Sequence, residues 1–264
     1  MIHYSEIIKT ASNYGVLNDT IEKDYIITWI LIGMANEGFA KDIVFYGGTT
    51  LKKVYFPDYR FSEDIDLLTK KEIDFDNFLQ RFENVNAAIR QMANVSLITD
   101  SKSVDISGAR LQFFLKFDAF SEFSRGGQVK MDLMRNVELI EKPKTRRVIL
   151  TYSDMKDISI ELPAYSLEAL LAEKIGAVAD RTEPRDLYDV WFLLKQGSIK
   201  IAKIKQYLKK KYGYEFERGN IVPQISKISY NRLWKERLKN QVSHLPEIDT
   251  VRDEITHYIK QYFE

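Results

Sequence analysis

Ile43-Val44-Phe45-Tyr46-Gly47-Gly48-Thr49-Thr50-Leu51 and, shortly after it, Arg60-Phe61-Ser62-Glu63-Asp64-Ile65-Asp66-Leu67-Leu68 decide how this chain is read. The first four residues are apolar and β-prone, two glycines stop them, and Thr49 to about Tyr55 predicts a helix. The order is strand, glycine turn, helix N-terminus. Gly47 and Gly48 let a phosphate approach the backbone, free amides and the positive dipole end of the helix face it, and Thr49 and Thr50 add hydroxyl donors. A Gly-Gly pair after a strand also serves as a plain turn, so it defines no function unaided. In residues 64–68 polar and apolar alternate at first, which predicts a strand with Asp64 and Asp66 on one face. Two carboxylates so close call for a cation, although such a pair also occurs as a surface feature.

Upstream, Asn18 or Asp19 can cap a helix running to about Glu37, with Ile26, Ile27, Ile30, Leu31 and Met34 at helical spacing. Downstream, a helix is expected near 75–92, then strands over 96–104, 109–119 and 128–135, with turns at Ser107-Gly108 and Gly126-Gly127. Leu111, Phe113, Leu115 and Phe117 share one parity, as do Val129, Met131 and Leu133. That parity leaves Lys130 and Asp132 together on the opposite face, where Asp132 can join Asp64 and Asp66. Three carboxylates holding two divalent ions suit in-line phosphoryl or nucleotidyl transfer.

Further strands are expected at 146–152 and 158–163, and helices near 167–180, 185–195, 199–212, 227–239 and 248–262. The reading is α+β: a mixed-sheet domain over 1–160 and a helical domain over 161–264. In the second, Leu187, Val190, Trp191 and Leu194 form a buried stripe and Pro184 suits a first helical position. Asp186 and Asp189 then lie one turn apart beside that stripe, able to orient a basic residue or a ligand. An exposed Arg185–Asp189 pair is the plainer expectation from spacing alone.

Composition narrows the chemistry. The chain has 264 residues, no cysteine and three histidines, His3, His244 and His257, far from the acidic motif. Thiolate zinc, iron–sulfur clusters, disulfides and cysteine nucleophiles are excluded, and any metal should be hard and oxygen-bound. No signal-like N-terminus and no run of roughly 18 apolar residues is present, so the expectation is a cytoplasmic protein without membrane contact. Net charge is only +1, yet residues 195–264 hold fifteen Lys/Arg against eight Asp/Glu, whereas 1–194 hold twenty-four against thirty. That split fits an acidic metal-binding lobe and a basic lobe that meets phosphate, or simply a solvated helical surface.

The stretches 44–51 and 60–67, with Ala172-Glu173-Lys174-Ile175 and Arg185-Asp186-Leu187-Tyr188-Asp189-Val190-Trp191, closely resemble the AbiEii/AbiGii toxin family. The motifs cover roughly residues 25–195 in the right order. The family is similar to DNA polymerase β-like nucleotidyltransferases and to MenT-type toxins. The resemblance implies a polymerase β-like mixed-sheet domain flanked by helices and followed by a helical domain. It also implies the toxin half of a toxin–antitoxin or abortive-infection pair, with a cognate antitoxin, NTP as substrate and Mg2+ or Mn2+ as cofactor. Carried over, Gly48 and Thr49 hold the triphosphate, Asp64 and Asp66 the metal, Lys174 the phosphates, and Asp186 or Asp189 a supporting contact. Ser62 matches a family serine near the metals. The third acid, Asp132, is assigned by strand parity, with general base as its role. Fourteen residues separate Thr49 from Asp64, more than in the shorter superfamily pattern, which an enlarged loop explains.

Members similar to this chain modify the 3′ end of tRNA, which suits Lys200, Lys203, Lys209, Lys210 and Lys211 as phosphate contacts. Tyr207, Tyr212 and Tyr214 are then candidates for base stacking, or for helix packing. A haloacid-dehalogenase-type phosphatase also uses Asp-x-Asp, but after a long hydrophobic strand, whereas Arg60-Phe61-Ser62-Glu63 precedes it here. An antibiotic-type nucleotidyltransferase and a catalytically idle nucleotide- or antitoxin-binding module are the remaining alternatives.

Overall fold

The structure, a computed structural model, describes residues 1–120, 122–197 and 199–263. The chain divides into two compact units, Met1–Leu139 with Pro143–Ala164, and Ile140–Lys142 with Tyr165–Glu264.

The first unit is α+β. Helix α1 (Tyr4–Tyr14), absent from the sequence reading, buries Tyr4, Ile7 and Ala11, which recur at helical spacing. Helix α2 (Asn18–Asn36) follows Leu17, which holds the cap position with no side-chain bond. Asn18 and Asp19 thus lie inside the first turn and are not caps; Asp19 there faces the positive dipole end. Every residue from Tyr25 to Met34 is buried, so the helix is apolar all round. Gly33 lets α4 (Phe75–Ala93) pack closely on it, since a Cβ would stand 2.9 Å from both Ile89 and Val85.

Strands β1 (Val44–Tyr46), β2 (Asp64–Leu68), β3 (Leu97–Thr99), β4 (Asp105–Ser107), β5 (Arg110–Phe117), β6 (Gly127–Met134), β7 (Lys144–Arg147) and β8 (Glu161–Ala164) form one sheet. Their order is β3-β5-β6-β2-β1-β8-β7, with β4 also paired to β5. The sheet is mixed: β2 with β6 and β1 with β8 run parallel, and the other pairs antiparallel. Alternate residues Ile65, Leu67, Leu111, Phe113, Leu115, Val129, Met131 and Leu133 enter the core shared with α2 and α4. The opposite parity is left for Asp64, Asp66, Lys130 and Asp132.

Two expected strands are shorter or shifted. Over 96–104 only Leu97–Thr99 is strand. Asp100 accepts from the Lys102 amide (3.3 Å), and Ser103 Oγ donates to the Asp100 carbonyl (2.6 Å), which turns the chain into a 3-10 turn. The pair expected at 146–152 and 158–163 is Lys144–Arg147 with Glu161–Ala164. The chain between is diverted, the Ile149 amide donating to the Lys53 carbonyl (2.7 Å).

The second unit is helical: α5 (Leu167–Asp180), α6 (Pro184–Leu194), α7 (Ile201–Tyr212), α8 (Arg218–Ile225), α9 (Ser229–Leu238) and α10 (Ile248–Tyr262). Ser166 caps α5 by accepting from the Ala169 amide (3.2 Å), and Pro184 opens α6. Helix α8 was not among the expected helices; it has only eight residues and holds Pro223 inside it. In α6, Leu187, Val190 and Leu194 are buried as expected, with Leu193. Trp191 is only half-buried, its indole N–H donating to Glu254 (2.7 Å).

Candidate active site

Strand β1 delivers the chain to Gly47, whose φ of 82° lies in the left-handed region open to glycine. The helical backbone then begins at Gly47, not Thr49, as the four-residue α3 (Gly47–Thr50), and continues as a π-helical turn over Leu51–Tyr55. A Cβ at Gly47 would lie 2.1 Å from Asp66 Oδ2, and one at Gly48 2.7 Å from Arg60 Nη2 and 3.4 Å from Ser62 Oγ. The diglycine turn therefore rests directly on the acidic strand and on the residues leading into it. Thr49 Oγ1 donates to the Asp64 main-chain carbonyl, so that hydroxyl ties the turn to β2. Thr50 Oγ1 is buried and has no hydrogen-bond partner.

Tyr46, Asp66, Asp132 and Gln112 stand opposite one another across β1, β2, β6 and β5, and Asp64 stands opposite Lys130. Residues paired in this way share a face, which places Asp132 beside Asp66. Its carboxylate is held by Arg110, whose Nε lies 3.0 and 3.2 Å from the two oxygens and whose Nη2 also donates to it. Lys130 Nζ lies 3.3 Å away, and Arg110 Nη2 donates to Gln112 (2.9 Å). Burial pushes the Asp132 carboxyl up, but the Arg110 hydrogen bond and the charges of Lys130 and Arg110 outweigh it and hold the group below the usual carboxylate range.

Oxygen donors from Asp64 and Asp66, with a diglycine cradle that any Cβ would fill, fit a hard divalent cation and a phosphate tail. Among the described residues no three His, Cys, Asp or Glu side chains converge as a ready-made metal group.

Within the helical unit, Lys174 Nζ lies 2.7 Å from Asp186 Oδ1 and 2.7 Å from Asp189 Oδ2, and Arg181 Nε donates to Asp186 (2.8 Å). Asp189 is wholly buried, not exposed as spacing alone suggested, and Arg185 pairs with Glu183 (3.2 Å). Burial raises Asp186, yet Lys174 and Arg181 bring it below the ordinary carboxylate range. Lys200, Lys203, Lys209, Lys210 and Lys211 are exposed along α7 and just before it. Tyr207 donates to Glu141 (3.0 Å) and Tyr212 to Asp180 (3.1 Å), whereas Tyr214 is exposed and stacked on Phe216.

Several residues here had no part in the sequence reading. Lys52 is buried, donates to the carbonyls of Pro57 (2.9 Å) and Tyr59 (3.0 Å), and lies 3.9 Å over the Phe61 ring. Burial lowers it to about 8, against the opposing pull of Asp24. Lys53 pairs with buried Asp24 (2.7 Å), which also accepts from Tyr152 (2.7 Å). Two adjacent lysines in an otherwise apolar run, Leu51 to Tyr55, are the signal that could have found them.

A glycine turn seated on a strand-borne Asp-x-Asp, in a mixed sheet with helices on it, places the chain among the nucleotidyltransferases. Residues 29–259 match the profile described as nucleotidyl transferase AbiEii toxin, type IV toxin–antitoxin system, and the chain belongs to that family. It is similar to MenT4, a nucleotidyltransferase toxin of Mycobacterium tuberculosis H37Rv, with 13% identity and a TM-score of 0.71 over 98% of this chain and 89% of that one. A candidate nucleotidyltransferase from H. pylori matches with 14% identity and a TM-score of 0.57 over 92% and 94%. An uncharacterised protein of Aquifex aeolicus (strain VF5) is 27% identical over 175 residues, 66% of this chain and 68% of that protein.

Proposed function

We propose that this enzyme is the toxin of a cytoplasmic toxin–antitoxin pair and transfers a nucleotide from an NTP to the 3′ end of a tRNA, a cognate antitoxin restraining it. The observation that carries the reading is the seating of Gly47 and Gly48 on Asp66, Arg60 and Ser62. Gly48 and Thr49, with Gly47 and Thr50, frame the triphosphate, and Ser62 borders the same turn. Asp64 and Asp66 would hold Mg2+ or Mn2+, with Asp132, which Arg110 holds here, as the third carboxylate that would join them. When bound, the metal neutralises charge on the triphosphate and makes the acceptor hydroxyl easier to deprotonate. The acceptor oxygen bonds to the α-phosphorus, the bond to pyrophosphate breaks, and Asp132 takes the hydroxyl proton. The exposed lysines of residues 200–211 and the exposed ring of Tyr214 suit an RNA backbone and a base. No described helix is long and apolar enough to cross a membrane.

The test incubates purified protein with Mg2+, each labelled NTP and total tRNA. Label on tRNA is expected, lost by about a thousandfold in D64N or D66N, with unfolding temperatures near wild type because neither change empties a core. Label on a small molecule instead would make this an antibiotic-type enzyme, and nucleotide binding without transfer would make it an idle module. Full activity in either variant would remove Asp64 and Asp66 from the site.

A further inference from the structure

The enlarged loop between the glycine turn and the acidic strand has a construction that the metal and glycine assignments leave unexplained. Lys52 clasps the carbonyls of Pro57 and Tyr59 and lies on Phe61, which holds residues 57–61 on both sides of Arg60. Arg60 is itself buried, at 4% exposure; its Nη1 donates to the Phe61 carbonyl (3.2 Å) and its guanidinium faces the Tyr59 ring at 5.6 Å. Its Nη2 occupies the space where a Gly48 side chain would be, as Asp66 occupies that of Gly47. Successive glycines of one turn thus contact opposite charges: a carboxylate at the first, a guanidinium at the second.

Arginine stays charged at any working pH, and a buried charge is screened much less than a surface one. A cation backing the residue at which phosphate must approach strengthens binding of the charged tail and adds little to binding of the nucleoside end. Resting on the nucleotidyltransferase reading above, we infer that Arg60 is a positioning residue that sets the preference of this site for a triphosphate tail, acting through Gly48. Arg60 faces the second glycine of the turn and Asp66 the first.

The experiment measures direct binding of an NTP and the matching NMP, with Mg2+ and without acceptor, to the full chain and its R60Q, R60K and G48A variants. Wild type should prefer the triphosphate. In R60Q the ratio of NTP to NMP affinity should fall by about tenfold or more with NMP affinity within about twofold of wild type, and R60K, which keeps the charge without the fork, should recover part of the ratio. G48A should reduce the ratio in both backgrounds, because a methyl there also obstructs the phosphate, and the two losses should be less than additive in the double variant, since that methyl would meet Arg60 Nη2. A loss of NTP and NMP affinity in equal proportion, or an unchanged ratio in folded R60Q, overturns the inference and leaves the enzyme reading standing. Where R60Q does not fold, R60M is read by the same criteria, and an unchanged ratio in folded R60M overturns the inference. A wild type that transfers no nucleotide and binds NTP no better than NMP removes the reading itself, and Arg60's role with it.

Discussion

Replacing Gly47 with alanine tests the site at its tightest point. Two costs are separable. A left-handed φ of 82° in a residue with a Cβ costs about 1–2 kcal/mol of stability, which in a protein of this size lowers the unfolding temperature by roughly 2–8 °C. The second cost is local: the new methyl would stand 2.1 Å from Asp66 Oδ2, and ordinary contact begins near 3.4 Å, so the carboxylate must retreat by more than 1 Å. A misplacement of about 1 Å at a reacting centre reduces turnover by about a hundredfold. G47A should therefore stay folded at 25 °C, with a native circular dichroism spectrum and a modest drop in unfolding temperature, while labelled-NTP transfer falls by about two orders of magnitude. Transfer within threefold of wild type in a folded G47A would refute the claim that this turn and Asp66 work as one unit.

Other outcomes follow from the buried charges and close contacts. Lys52 has a folded value of about 8 against 10.5 unfolded, so the unfolded chain holds more protons between those values and this lysine's contribution to stability rises with pH across that window. Denaturant unfolding of wild type and K52M should show the difference moving in favour of wild type by on the order of 3 kcal/mol from about pH 8 to 10.5, and a difference flat across that range contradicts the burial argument. K174M removes the cation shared by the buried Asp186 and Asp189 carboxylates and should cost about 3–5 kcal/mol in chemical denaturation; a loss below about 1 kcal/mol would mean that this pairing contributes little to stability. Nucleotide dependence in folded K174M separately tests a phosphate role. G176A drives a methyl to 2.1 Å from the Tyr212 hydroxyl, which donates to Asp180, and should destabilise the helical unit by about 1–3 kcal/mol; an unchanged unfolding temperature would show that Tyr212 swings away freely.

Local chemistry made much of this protein readable from its residues. Strand period placed Ile65 and Leu67 inside and Asp64 and Asp66 outside, and the two glycines marked the turn before the acids, because alternation and steric permission act over a few neighbouring residues. Helices α4, α5, α6 and α10 were legible for the same reason, each burying apolar residues at helical spacing. Helix α1 was missed although Tyr4, Ile7 and Ala11 recur at helical spacing, whereas an Asp100–Ser103 side-chain turn hid the shortening of β3 and an internal proline hid helix α8.

Partnership across long sequence separations was settled by the fold. Parity could place Asp132 on the same face as Asp66, but only the parallel pairing of β2 with β6 set them side by side, and only the antiparallel β5 brought Arg110 onto the Asp132 carboxylate. Asp189 reads as an exposed acid beside Arg185 until helices α5 and α6 bury it against Lys174. Arg60 reads as the first residue of a motif until its loop folds it beneath Gly48. A charge in a sequence has no known neighbours, and its energy depends on the neighbours and the water that folding gives or removes; the residue types could announce an acidic, phosphate-seeking site, and the packing chose which charges face one another.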